Sequence, residues 1–228
     1  MVRDSRHRSA GTAQRLLDSA EHLFGEHGYN GVGMRALAGH AKVNLAATTY
    51  HFGSKKTLYV ETFLRRFRAV NARRLELLAA AETAAAGRPL PVEDIVECMM
   101  QPSVEAGLAH PAFNKLLART LLAPPPFLHQ PLKAEFEPNL KVFIGALERA
   151  LPTVPSDILN LRLALALGAT LMFGVQMSAI KIRRDAKREA AFLKELVRFT
   201  ASGLASPPAI SAAEFASLRP PRLRTRSA

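Results

Sequence analysis

Between Asn44 and Lys56 the chain lines up hydrogen-bond donors and positive charge: Thr48, Thr49, Tyr50 and His51, then Lys55 and Lys56. Hydroxyl, phenol and imidazole groups suit phosphate oxygens, and lysines add the charge that makes phosphate binding salt-sensitive. Asn44, Leu45 and Ala46 stand where a helix N-terminus would approach base edges or phosphates, and Ala46 and Ala47 are small enough to allow it. Leu45 serves either that contact or a core, while Val43 and Phe52 belong to a core. No member of this set is diagnostic; their order is. The implied chemistry is non-covalent contact with duplex DNA, one short helix entering the major groove.

Such a helix needs a frame. Thr12 is placed to cap a first helix in which Leu16, Leu17, Ala20, Leu23 and Phe24 recur at helical spacing, ending near Gly28. Met34, Leu37 and Ala38 predict a short second helix to about Ala41, with Lys42 and Val43 as the joint. Asn44 then caps a third helix over Leu45–Phe52, Gly53 breaks it, and Ser54 caps a long fourth reaching about Ala86. Gly87, Pro89 and Pro91 mark a boundary. Helices follow over 92–109, 111–122, 132–150, 156–181 and 186–205, divided by Pro111, Pro124, Pro131, Pro152 and Pro155. The expected fold is all-α. A three-helix helix-turn-helix domain at 12–56 is joined by the long helix to a C-terminal helical bundle at 87–205. Residues 1–11 read as a basic flexible arm and 206–228 as a flexible basic tail. Arg3, Arg6, His7 and Arg8 of the arm either enter a minor groove or simply solubilise the terminus.

Charge is distributed to match. Residues 1–75 carry 13 Lys and Arg against 5 Asp and Glu, whereas residues 76–205 carry 14 against 13. A polyanion therefore suits the N-terminal third rather than the middle. The single cysteine, Cys98, permits neither an internal disulfide nor a cysteine-based zinc site, and its apolar neighbours predict a buried position. The basic N-terminus lacks the apolar core of a secretory signal, so a cytoplasmic location is expected. The apolar run from Leu163 to Ile180 contains Thr170, Gln176 and Ser178, which favours a bundle helix over a membrane span.

The segment RLLDSAEHLFGEHGYNGVGMRALA followed by AKVNLAATTYHFGSKKTLY resembles the DNA-binding domain of TetR-type transcriptional repressors over about residues 12–65. That resemblance implies an all-α homodimer, a larger ligand-binding domain, and repression relieved by a small molecule. By matching position it assigns DNA contacts to Asn44, Ala46 and Thr48 to His51, a phosphate contact to Lys55, and the start of the second helix to Met34 and Arg35. Gly33 stands where the family often has Ser or Thr, which removes a side-chain cap there. Residues 109–121, AHPAFNKLLARTL, resemble a segment of the fatty-acid-responsive, PsrA-like branch, which implies a fatty acid or acyl-CoA effector.

In the near-neutral half, Arg119 follows Phe113 and Leu116 on an apolar helix. There it would meet an acid or carbonyl group of a ligand, or pair with a carboxylate such as Glu105. Phe143, Met172, Phe173 and Gln176 are candidates to line a ligand cavity, with core or dimer packing as the alternative. Gly168, Ala169, Gly174 and Ala179, with the apolar stripe Phe192, Leu196 and Phe199, predict a homodimer face over residues 156–205. Phosphate-binding glycine loops, HExxH pairs, nucleophile elbows and carboxylate pairs are missing from the sequence, so neither an enzyme nor a metal or cofactor is expected. The rival within the same chemistry is a DNA-binding regulator controlled by a protein partner or by no effector at all.

Overall fold

The computed structural model describes residues 2–179, 186–211, 214 and 217. Among these there are nine α-helices, one 3-10 turn and no strand. The helices are α1 (Val2–His27), α2 (Met34–His40), α3 (Leu45–Phe52), α4 (Lys55–Ala85), α5 (Val92–Ala109), α6 (Pro111–Leu122), α7 (His129–Ala150), α8 (Ser156–Ala179) and α9 (Ala186–Ala205), with the 3-10 turn at Pro126–Leu128. The all-α expectation holds.

Local chemistry sets most boundaries. Asn44 accepts from the Ala47 N–H at 2.6 Å and so caps α3, and Ser54 caps α4 by accepting from Thr57 at 3.1 Å. The joint between α2 and α3 places Lys42 at φ 54°, a left-handed conformation with no glycine to ease it. α2 begins at Gly33 with no side-chain cap. Two boundaries differ from expectation. α1 starts at Val2, so the residues read as a flexible arm continue the helix. α7 starts at His129 and absorbs Pro131 in its first turn, where the missing N–H would have had no partner anyway.

Two apolar cores form, and α4 runs through both. The first gathers Ala20 and Phe24 of α1, Leu37 of α2, Leu58 to Phe67 of α4, and Phe113, Leu116 and Leu117 of α6. The second gathers Leu78 of α4, Met99 and Met100 of α5, Phe143 of α7, Leu159 and Leu163 of α8, and Val197 of α9. Cys98 is buried here, as expected. The reading head is therefore not closed on itself, because α6 completes its core. The first stretch read as tail is also held: Arg162 donates to the Leu204, Ser206 and Pro207 carbonyls, and Ile210 packs on the second core.

Candidate nucleic-acid interface

The helical period sorts the side chains of α3 into two faces. Leu45, Ala46, Thr49 and Tyr50 point outward, and Tyr50 is 83% exposed. Thr48 points inward and is fully buried, with no hydrogen-bond partner for its hydroxyl. The expected DNA contact of Thr48 is thus corrected: it lies one helical step off the outward face, among the packing residues. Leu45 resolves the other way, outward and 41% exposed, where its side chain suits a thymine methyl rather than a core. Thr49 donates back to the Leu45 carbonyl at 3.3 Å, and His51 is half-buried with its ring edge against Tyr50.

Cations flank this face. Arg35 on α2 is exposed, whereas Met34 beside it is half-buried and packs on the first core. Lys55 at the start of α4 is half-buried, its ammonium 4.4 Å from the centre of the Tyr29 ring. Burial lowers its pKa from 10.5. Lys56 is exposed and lies 5.5 Å from the Phe127 ring. Both lysines thereby rest on an aromatic cluster of Phe24, Tyr29, Tyr59 and Phe127 that ties α4 to the 3-10 turn.

The face is held in position by charged groups absent from the sequence reading. Glu21 of α1 is buried and accepts from Arg65 at 2.5 Å and from Arg66 at 2.9 Å, both on α4. Arg66 also donates to His110 Nε2 at 3.0 Å, at the junction of α5 and α6. The signal in the sequence was a carboxylate on the inward stripe of α1, with partners more than forty positions away. Burial first, and Arg66 next, hold the His110 pKa below 6.5. The folded protein therefore binds this proton less readily than the unfolded chain. Stability is expected to be full above the ordinary histidine value and to fall as pH drops below 6.5 towards the depressed folded value. Melting curves across that window should slope less in His110→Gln, and an unchanged slope would remove the histidine from the account.

Residues expected around a ligand are scattered. Arg119 is corrected: it donates to the Gly25 carbonyl at 2.7 Å and the Glu26 carbonyl at 2.8 Å, capping the C-terminus of α1. It does not pair with Glu105, which accepts from Gln101 instead. Unsatisfied carbonyls at a helix end attract a guanidinium, and α6 passes close enough to supply one. Phe143 is buried in the second core. Met172 is 47% exposed on α8, so it faces away from the bundle interior. The side chains of Phe173 and Gln176 lie outside the described residues. The stripe predicted on α9 divides, with Leu196 against its own bundle and Phe199 72% exposed.

Residues 16–62 match the family described as bacterial regulatory proteins, tetR family, and residues 96–203 match the tetracyclin repressor-like C-terminal domain. The chain belongs to the TetR family. Solved structures agree on the fold. The fatty acid degradation regulator FadR from Bacillus halodurans is 13% identical, with a TM-score of 0.67 over 83% of this chain and 98% of its own. A tetR-family regulatory protein from Rhodococcus RHA1 is 16% identical, with a TM-score of 0.62 over 86% and 98%. PfmR from Thermus thermophilus is 20% identical, with a TM-score of 0.57 over 81% and 94%. No curated protein sequence matches the chain. TetR-family regulators are DNA-binding transcription factors rather than enzymes; they dimerise and bind small-molecule effectors. Among the described residues no helix of this regulator is long and apolar enough to cross a membrane.

Proposed function

We infer that this TetR-family regulator is a repressor whose operator binding is relieved by a small apolar ligand, a fatty acid or acyl-CoA. The observation that carries the DNA half is the outward face of α3: Leu45, Ala46, Thr49 and Tyr50 on one side of a helix capped by Asn44. Leu45 and Ala46 meet base edges, Thr49 and Tyr50 hydrogen-bond in the groove, and Arg35, His51, Lys55 and Lys56 hold phosphates. Lys55 leaves the Tyr29 ring for a phosphate at the N-terminus of α4, where the helix dipole already favours an anion.

The exposed apolar side chains Leu161, Leu165 and Met172 of α8 and Phe199 of α9 support a homodimer face within residues 156–205. A two-fold dimer presents two copies of α3 to half-sites about 34–36 Å apart. The ligand acts on their spacing. α6 docks on α1 through Arg119, through the Lys115–Glu26 ion pair, and beside the buried 2.7 Å Tyr59–Thr120 hydrogen bond. A ligand that favours a second arrangement of the bundle therefore moves α6, and with it α1 and the lever α4. It weakens DNA binding only by its differential affinity for the two arrangements. The sequence likeness of residues 109–121 to the fatty-acid-responsive branch supports the acyl assignment.

The DNA half is tested by titrating the fragment upstream of the protein's own coding region at several salt concentrations. Lys55→Ala is expected to weaken binding across sequences and to reduce the salt slope by about 0.9 for each phosphate no longer neutralised. An unchanged slope contradicts the phosphate role.

A further inference from the structure

Arg74 of α4 is 7% exposed, and among the described residues no carboxylate lies within ion-pair distance of it. Its guanidinium is held by neutral acceptors instead. Nε donates to the Met99 carbonyl at 2.7 Å, Nη1 to Asn71 Oδ1 at 3.1 Å, and Nη2 to Ser103 Oγ at 2.6 Å. Those three bonds use three of five N–H groups and leave one on each terminal nitrogen, the number that a carboxylate takes in bidentate pairing. Pro102, inside α5, interrupts the ladder at the same turn because it cannot donate to the Cys98 carbonyl.

Asn71 is itself tied down, because it and Asn139 both donate to the Glu135 carbonyl of α7 at 3.3 Å. A buried cation without a counter-charge is an expensive feature. This one persists where α4 passes from the first core, ending at Phe67, to the second, beginning at Leu78. Burial draws the Arg74 pKa down to about 10, which still leaves it charged at neutral pH.

We propose that Arg74 is the effector's anion-recognition group, pairing with a single carboxylate that enters between α4, α5 and α7. The assignment rests on the ligand-relieved reading above and adds the chemistry of the head group. One buried monovalent cation matches one carboxylate. It does not match the several charges of a coenzyme thioester, so the free acid is the ligand form. Placement at the seam between the cores gives the ligand purchase on α4 between the reading head and the bundle.

The test uses the full chain and two pairs of neutral and anionic probes of equal shape: octanoate with octanamide, and phenylacetate with phenylacetamide. Calorimetric titration of the unsubstituted protein is expected to show at least one acid binding about tenfold or more tightly than its amide, as a charge-assisted pair should. Arg74→Met should bring that ratio near one while retaining DNA binding, and Arg74→Lys should keep a reduced preference. Equal affinity for acid and amide overturns the assignment, yet leaves ligand-relieved repression standing if both release DNA. Absence of binding by all four probes overturns it as well, and so does an acid preference that survives in Arg74→Met. The acid–amide comparison on the unsubstituted protein decides the matter even if the methionine variant fails to fold.

Discussion

Glu21→Ala is expected to lower the melting temperature by roughly 6–12 °C, which follows from about 3 kcal/mol for breaking a buried ion pair and about 2–4 °C per kcal/mol in a chain of this size. The reason is asymmetry. Glu21 is 6% exposed at its side chain and neutralises two guanidiniums at once, those of Arg65 and Arg66, at 14% and 22% exposure. Removing it leaves Arg66 without a carboxylate and Arg65 with Asp18 alone, at 2.8 Å and half-exposed, in a poorly solvated site where the Arg65 Nε already lacks a partner. Operator affinity should fall with it, because this cluster joins α1 to α4 and so orients α3. Calorimetry checks the first part and DNA titration the second. A shift below about 2 °C would show that solvent screens the cluster almost completely.

Gly25→Val should decouple α1 from α6. A Cβ at Gly25 would stand 2.9 Å from the Ala112 carbonyl oxygen and 3.4 Å from the Leu116 nitrogen, both backbone atoms of α6. Backbone cannot rotate away, so α6 must shift. Overpacking of this kind costs about 1–3 kcal/mol, and the branched side chain sits at the upper end. Arg119 and Lys115 would then lose their positions over the end of α1. Melting temperature should fall by several degrees, and the ratio of DNA affinities with and without ligand should move towards one. Gly39→Ala is the control: nothing lies within 4 Å of a Cβ there. A wild-type response in Gly25→Val would refute transmission through α6.

Much of the frame was legible in the sequence because it is local. The caps Asn44 and Ser54 act on N–H groups three residues away, and the breaks at Gly28, Gly53 and Gly87 coincide with positive φ. What the sequence hid is long-range. Arg119 looked like a polar group aimed at a ligand because it lies on an apolar helix, but its acceptors belong to α1, over ninety positions earlier. Thr48 and Thr49 are identical in type and adjacent. Only the packing of α3 decides that the first is buried and the second exposed. Met172 is apolar and faces outward, so its residue type alone did not reveal that it stands away from the bundle interior. Glu21 and Arg74 are charges on inward stripes. Periodicity marks such residues as anomalies without naming the partners that make them tolerable.

The most direct measurement is a hydroxyl-radical footprint on the DNA upstream of the coding region, read beside the mass of the protein–DNA complex. A dimer inserting two copies of α3 should protect two patches on one face of the duplex, one helical turn or about 34–36 Å apart. Tyr50→Ala should weaken both patches together. Uniform protection with no patch, or a monomer bound at a single site, would contradict the reading of α3 as the element that enters the groove.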